Sequence, residues 1–582
     1  MTGTEFDSAL AEREDLTQYG SNARILLALE IRATVEDIHT VAANALTDGF
    51  DDKKCDLVYV SRDDGLIIVA QGYESTDATK PSAKADKAAD LNTAAGWLLL
   101  REISELPERI KSAAQEVRSA LESGEIRAVQ FWYVHNLPES KNVQQELKTV
   151  EQTVKSAVER CFPNAEVDEI SAIELGREHL NELYRALESP ILVDDTFELN
   201  VPGGYNIQGI QWNAFVTAIP ANWLHKLHQE YKSNLFSANV RDYLGSRRSD
   251  RNINNSIKET VQNAPQDFWA FNNGITALVH SVEHDENTGV LKIVGLSIVN
   301  GAQTTGAIGT LNEAPPANAM VPARFVVCNN RPTITNIIRY NNSQNNVKAA
   351  DFRSNDATQR RLRKEFAQIP QSTYTGGRRG NPDDIIRRNP DLLPAETCAQ
   401  ALLAFHQDPI TAYNRKSKIW ESDDYYSRCF NEQTTATHIV FAYSLVRAIE
   451  AIKLTLTNDL KDNGTIEEDR KEQLDFLNKR GAIFLMTTAT AKCLEIILTR
   501  SLPNKFRVSF SEKVSPLEAM ELWSPIIYTI IPFAPQLRPA VNVSLNAETV
   551  HRVLETFTQL VRATSVGNAV TYQTFAQKVI IR

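Results

Sequence analysis

At 582 residues the chain is too long for one core, and three or four domains are expected. Hydrophobic residues make up 42% and charged residues 23%, as in an ordinary globular protein. A net charge of −11 argues against non-specific coating of nucleic acid, but it leaves local basic patches free to act. None of the six cysteines sits in a CxxC pair or beside a histidine, so neither a zinc site nor a disulfide framework is expected. The start, MTGTEFDSALAERED, lacks a basic and then apolar leader, and no apolar run approaches the length of a membrane span. A cytoplasmic location is expected.

Apolar residues at helical spacing from Ser21 to Asn44 predict one helix or a broken pair. Two strands follow, Asp56–Val60 and Leu66–Gln71, joined by a short polar turn as a hairpin. The second half of KPSAKADKAADLNTAAGWLLL reads as a helix, and another helix follows it. AVQFWYVHN (128–136) reads as a buried strand. A helix (Val143–Cys161), a strand (Val167–Leu175) and a last helix near Ser189 close an α/β unit over about 1–190. Asn/Gly-rich strands and turns fill 191–370, with helices after Gln303 and Arg331, which predicts an α+β unit. The remainder, 371–582, is mostly helical, with heptad-like spacing from His438 to Leu456 and from Leu474 to Leu498. The fold class is therefore multidomain α/β and α+β with a helical C-terminal region.

In DDKKCDLVYVSRDDGLIIVAQGY (51–73), Asp56 opens one apolar strand and Gln71 ends another. A charged loop entering a strand is the plain reading. Yet a glutamine closing a nearly pure Leu/Ile/Val strand is costly unless its amide is paired. Lys80, Lys84 and Lys87 follow closely. A carboxylate, a second oxygen ligand and a nearby ammonium suit metal-assisted phosphodiester hydrolysis.

The hairpin resembles the PD-(D/E)XK nuclease core in its glutamine variant. The resemblance implies a restriction-endonuclease-like domain, Mg²⁺ or Mn²⁺ as cofactor, and Asp56 and Gln71 as metal ligands. The lysine of that pattern falls on Tyr73, so the resemblance needs a lysine from the next helix: Lys87, with Lys84 behind it. An acidic residue of the first helix, implied for such members, maps to Glu30.

The centre carries FWAFNNGIT (268–276), SIVNGAQTT (297–305) and YNNSQNNVKAADF (340–352). In this order they resemble the AIPR family, named for abortive-infection phage resistance, over roughly 239–366. Asn300-Gly301 followed by Gln303-Thr304-Thr305 places backbone N–H groups and hydroxyls at a helix N-terminus, an anion site in principle. VNGAQTT also resembles the DGQ(Q/H)R motif of ParB-like proteins that bind or hydrolyse nucleotides, with Asn300 and Thr305 where that motif has aspartate and arginine. Asn272, Asn273, Asn342, Gln344, Arg247 and Arg339 join the candidate nucleotide or phosphate ligands. The alternative is that Asn-Gly pairs simply make turns.

Arg378 and Arg379 in TGGRRG offer a basic loop to a nucleic-acid backbone, or a solvated surface. HExxH, GxSxG and Walker A patterns are absent. The reading that follows is a Mg²⁺-dependent nuclease, DNA favoured over RNA, gated by a central domain that binds an NTP or a phosphate. On the resemblance it serves anti-phage defence, and a homo-oligomer, a dimer, is expected. A catalytically inactive nucleotide-dependent switch and a structural scaffold are the alternatives.

Overall fold

A computed structural model describes residues 4–33, 35–49, 52–188, 193–231, 235–237, 248–330, 356–374, 391–541 and 547–582, with single positions between them (191, 333, 334, 336–338, 340, 341, 353, 376 and 389). The expected mixture of α/β, α+β and helical parts is what it shows.

The N-terminal part is a four-stranded sheet between two helical layers. Helices α1 (Glu5–Glu12), α2 (Ala23–Ala33) and α3 (Ile38–Ala45) precede the hairpin β1 (Leu57–Ser61) and β2 (Leu66–Tyr73). The long 21–44 helix is indeed broken. Asp37 ends the break by accepting from the N–H groups of His39 and Thr40, so it starts α3 afresh. Then come α4 (Ala85–Ala95), α5 (Glu108–Glu122), β3 (Ala128–His135), α6 (Lys141–Cys161), β4 (Glu169–Leu175) and α7 (Arg177–Glu188).

The strand order is β1-β2-β3-β4, antiparallel within the hairpin and parallel from β2 to β4. Alternation sorts the side chains between the layers. Ile67 and Val69 pack with Ala88 and Leu91 of α4, Ile110 of α5 and Val143 of α6. Ile68 and Ala70 pack with the α2 residues Ile25 and Leu29 and with Trp132. Both faces are covered, which is why these strands read as continuous apolar runs.

The central part is a seven-stranded sheet. Its strands are β5 (Val193–Asn200), β6 (Gly204–Gln208), β7 (Trp212–Pro220), β8 (Ile275–Val279), β9 (Ser281–Asp285), β10 (Val290–Asn300) and β11 (Met320–Cys328). The order is β5-β10-β8-β11-β7-β6, with β9 also paired to β10. Helices α8 (Ala221–Tyr231), α9 (Arg248–Asn263), α10 (Phe268–Phe271) and α11 (Ala302–Gly309) accompany it. The helix expected after Gln303 is thus present, beginning one residue earlier.

The remainder is mostly helical, centred on the 28-residue helix Ala436–Asn463, with two short strand pairs, Thr373–Tyr374 on Leu392–Leu393 and Val508–Phe510 on Val579–Ile581. The periodic stretch from Leu474 to Leu498 is interrupted, because Gly481 takes a left-handed conformation (φ 78°) between helices Glu468–Leu477 and Ala482–Lys492. Among the described residues no helix is long and apolar enough to cross a membrane.

The helical part grips the N-terminal sheet through buried polar contacts. Arg447 pairs with Asp37 and Glu450, while Glu450 accepts from Thr40 Oγ1 at 2.8 Å. Lys453 donates to Ala43 O (2.6 Å) and Arg480 to Val58 O of β1 (2.7 Å). Glu36 accepts from the N–H groups of Ala395 and Glu396 at the start of helix Ala395–Phe405, both at 2.9 Å. A cavity of about 100 Å³ lies in this seam, walled by Tyr59, Glu116, Lys416 and Arg480 among others.

Candidate metal centre

The loop between α3 and β1 folds back on the mouth of the hairpin. The N–H groups of Thr47 and Asp48 donate to Asp56 O at 2.9 and 3.1 Å, and Thr47 Oγ1 donates to Cys55 O at 2.6 Å. To make the turn, Lys53 and Lys54 both adopt positive φ (54° and 69°), an unfavourable conformation for residues with a side chain. Asp52 supports it by accepting from Gly49 N (3.3 Å) and Lys54 N (2.9 Å). Half-buried Arg109 holds the outer backbone at Thr47 O and Asp48 O.

This closure brings carboxylate oxygens of Asp48, Asp52 and Asp56 within 4.8 Å of one another. Asp56 precedes β1, and its Oδ2 accepts from Gly72 N of β2 at 2.6 Å. Leu57 pairs with Ala70, so the next positions outward are Asp56 and Gln71. Gln71 lies on the α4 side of β2 by alternation and is 7% exposed. Its Oε1 is buried with no hydrogen-bond partner. An unsatisfied buried carbonyl oxygen is uncommon and calls for an explanation.

Burial pushes the Asp56 carboxyl up to about 7. The charges of Asp48 and Asp52 add to the shift, while the Gly72 N–H and the Lys87 charge oppose it. Crowded carboxylates of this kind attract a cation, and an all-oxygen set of three carboxylates and an amide suits Mg²⁺ or Mn²⁺.

Lys87 lies in the first turn of α4, half-buried, close enough for its charge to act on Asp56. Its Nζ and that of Lys54 each lie 3.5 Å from Asp90 Oδ2. Lys84 is the exposed residue before the same helix, and its carbonyl accepts from Tyr133 OH at 3.1 Å. Tyr73, at the position of the expected lysine, packs against the core beneath α4. Lys53 and Arg101 flank the Trp97 ring at 4.8 and 5.0 Å, adding positive charge to the rim.

Glu30 sits apart from this arrangement chemically. Its carboxylate receives Arg13 Nη1 at 2.6 Å inside the core, and Arg13 also binds Asp15. The acidic residues that accompany Asp56 are instead Asp48 and Asp52, which the sequence reading passed over. The signal was the four-residue spacing Asp48, Asp52, Asp56 around KK, legible only once the loop is known to close.

Two of the three central motifs meet. Asn272 Oδ1 accepts from Gly274 N (2.8 Å) and Thr304 Oγ1 (3.1 Å), joining α10 to α11. Gly274 (φ 76°) and Gly301 (φ 91°) permit the approach, since a Cβ on Gly301 would lie 2.5 Å from Gly274 O. Thr305 Oγ1 donates to Gly301 O at 3.0 Å. The threonine hydroxyls offered to an anion are therefore engaged internally. Asn300 Nδ2 donates to Asn341 O at 3.0 Å, which ties in the start of the third motif. Asn273 is exposed and Gln303 half-buried beside the α11 N-terminus, which has no side-chain cap. Arg247, Arg339, Asn342, Gln344, Arg378 and Arg379 lie outside the described residues.

A family model described as AIPR protein matches residues 236–504, just under half of the chain. The match starts in the central part and runs deep into the helical part, well beyond the three motifs, and it leaves out the hairpin. No curated protein and no solved structure matches the chain.

Proposed function

We propose that the chain is an anti-phage defence protein in which the N-terminal sheet is a metal-dependent nuclease and the AIPR-matched region governs it. The observation that carries the nuclease reading is the buried, unpartnered Gln71 Oε1 near the end of β2, at the register position opposite Asp56 of a three-carboxylate cluster. Asp56 and Gln71, with Asp48 and Asp52, would hold Mg²⁺ or Mn²⁺. When bound, such a cation lowers the pKa of a coordinated water and offsets charge on a phosphodiester.

The chain's own groups do the rest. The Gly72 N–H fixes the Asp56 carboxylate, Gln71 offers a neutral oxygen, and Lys87 supplies a cation for developing phosphate charge. The basic rim of Lys53, Lys54 and Arg101 favours a polyanionic substrate, with DNA ahead of RNA by analogy to the fold's known users. The AIPR region reaches β1, α3 and the loop between them through Arg480, Lys453 and Lys461, a direct route by which a ligand there, such as a nucleotide at the α11 N-terminus, would govern cutting.

A second reading is favoured by Tyr73, whose packing leaves the usual lysine position without a cation. In it the hairpin binds nucleic acid without cutting it. Incubation of DNA and RNA with Mg²⁺, Mn²⁺ or EDTA separates the two. Cation-dependent cleavage lost in Lys87→Ala supports the nuclease, whereas binding without cleavage under every cation supports the second reading.

A further inference from the structure

The two ends of the central sheet are finished differently. At one end the edge strand β5 carries Asp194, Asp195 and Glu198. Charged side chains on an edge discourage another strand from adding to it. At the other end β6, GYNIQ, has none, and between Glu198 and Lys226 the chain has no Asp, Glu, Lys or Arg at all.

β6 pairs only with β7 among the described strands, from Gly204↔Thr217 to Gln208↔Asn213. Its outer N–H and C=O groups thus form an open ladder, and all five residues are exposed. It is also apolar where it should be guarded. Tyr205 is 61% and Ile207 42% exposed, and Ile210 at the turn to β7 is fully exposed. Phe215 packs where a Cβ on Gly204 would stand, so residues 204, 206 and 208 face that core. Tyr205 and Ile207 therefore face the other side, where Ile207 lies opposite Ala214 and extends a row through Val326 and Leu278. The row ends in solvent at β6.

We infer that two copies of the chain pair through β6, edge to edge and antiparallel, to make one sheet continuous across both copies. An antiparallel strand pair about a two-fold axis is self-complementary and closes after two copies. Charge selects a second copy as the occupant. Each copy carries −11, so two copies approach most readily through a surface free of like charges, and β6 with its flanks is such a surface. The guarded β5 edge disfavours the head-to-tail alternative of β6 on β5, which would build filaments. Tyr205, Ile207 and Ile210 would then be covered, removing an exposed apolar edge from a soluble chain.

Sedimentation velocity on the full chain tests this, comparing wild type with Ile207→Lys and Ile210→Lys across a micromolar concentration series. Both substitutions fall on exposed side chains, so an unchanged far-UV circular dichroism spectrum will verify the fold. The wild type is expected to populate a species of twice 65.1 kDa, and both variants to sediment as monomers at every concentration. Hydrogen exchange supplies the local readout, with the backbone amides of 204–208 gaining protection as the wild type associates. A wild type that stays monomeric with rapidly exchanging β6 amides overturns the inference. So does a dimer that survives both lysines.

Discussion

Lys461, two residues before the end of helix Ala436–Asn463, places its Nζ 3.4 Å from Asp48 Oδ2, on which Asn22 Nδ2 also lies at 2.8 Å. A residue of the AIPR-matched region thus contacts the carboxylate cluster of a sheet outside that match. The ammonium is more than half exposed, so the pair itself contributes little to stability. Its effect falls on the cluster, where it competes with any bound cation. Lys461→Ala is expected to tighten Mn²⁺ binding about two- to fivefold, as loss of an exposed pair worth up to about 1 kcal/mol implies. Calorimetric titration of Mn²⁺ into both proteins measures it, and weaker binding in the variant would count against a shared site.

Gln71→Leu tests the orphaned oxygen. The change keeps the volume and removes a buried polar group with no partner for Oε1, so the melting temperature without metal should hold or rise. The rise in melting temperature caused by added Mn²⁺ should shrink sharply, because stabilisation by a ligand follows its affinity. Differential scanning fluorimetry with and without Mn²⁺ reads both quantities.

Arg447, partly buried, lies between the buried carboxylates of Asp37 and Glu450 at the seam. Arg447→Ala leaves two buried carboxylates facing each other, and removing one member of such a network typically costs about 3–5 kcal/mol. Urea unfolding should show a large loss of stability, with the N-terminal sheet and the helical part separating into two transitions.

His438 and His406 give the helical part a dependence on pH. Their Nε2 atoms lie 3.1 Å apart, and His438 Nδ1 lies 3.0 Å from Val508 O. Burial holds His438 down at about 4, and burial with the charges of His438 and Lys505 lowers His406 further. Both rings are neutral when folded, while the unfolded chain takes up protons near pH 6.5. The unfolded state binds more protons between about pH 4 and 6.5, so stability falls as pH drops through that window, with a slope approaching about 1.4 kcal/mol per pH unit for each ring. Chemical unfolding at pH 7.5 and 5 checks this, and His438→Gln should flatten the difference.

How much of this was legible in the sequence follows from chain distance. The hairpin and α4 are close in the chain, so local patterning was enough to put Asp56 and Gln71 on a strand pair and Lys87 on the helix after it, while the roles given to them came from the resemblance. Asp48 and Asp52 are equally near but sit in a loop whose path depends on two residues at positive φ, which no spacing rule predicts for lysine. Glu30 came from the resemblance alone, as the acidic residue of the first helix, and its carboxylate has a partner in the structure. That partner is Arg13, and the pairing is a tertiary contact between separate elements. Lys461 lies 413 residues from Asp48, beyond any local pattern. The central threonines read as free donors, yet the approach of α10 to α11 gives Thr304 an internal acceptor.

The most direct measurement of the central claim is cleavage of plasmid DNA by the full chain with Mg²⁺, Mn²⁺ or EDTA, for wild type, Asp56→Ala and Asp48→Ala. The account predicts cation-dependent cutting by the wild type, none by Asp56→Ala, and reduced cutting by Asp48→Ala that recovers at higher Mn²⁺. Cutting that persists in Asp56→Ala, or a wild type that leaves DNA intact with every cation, would contradict it.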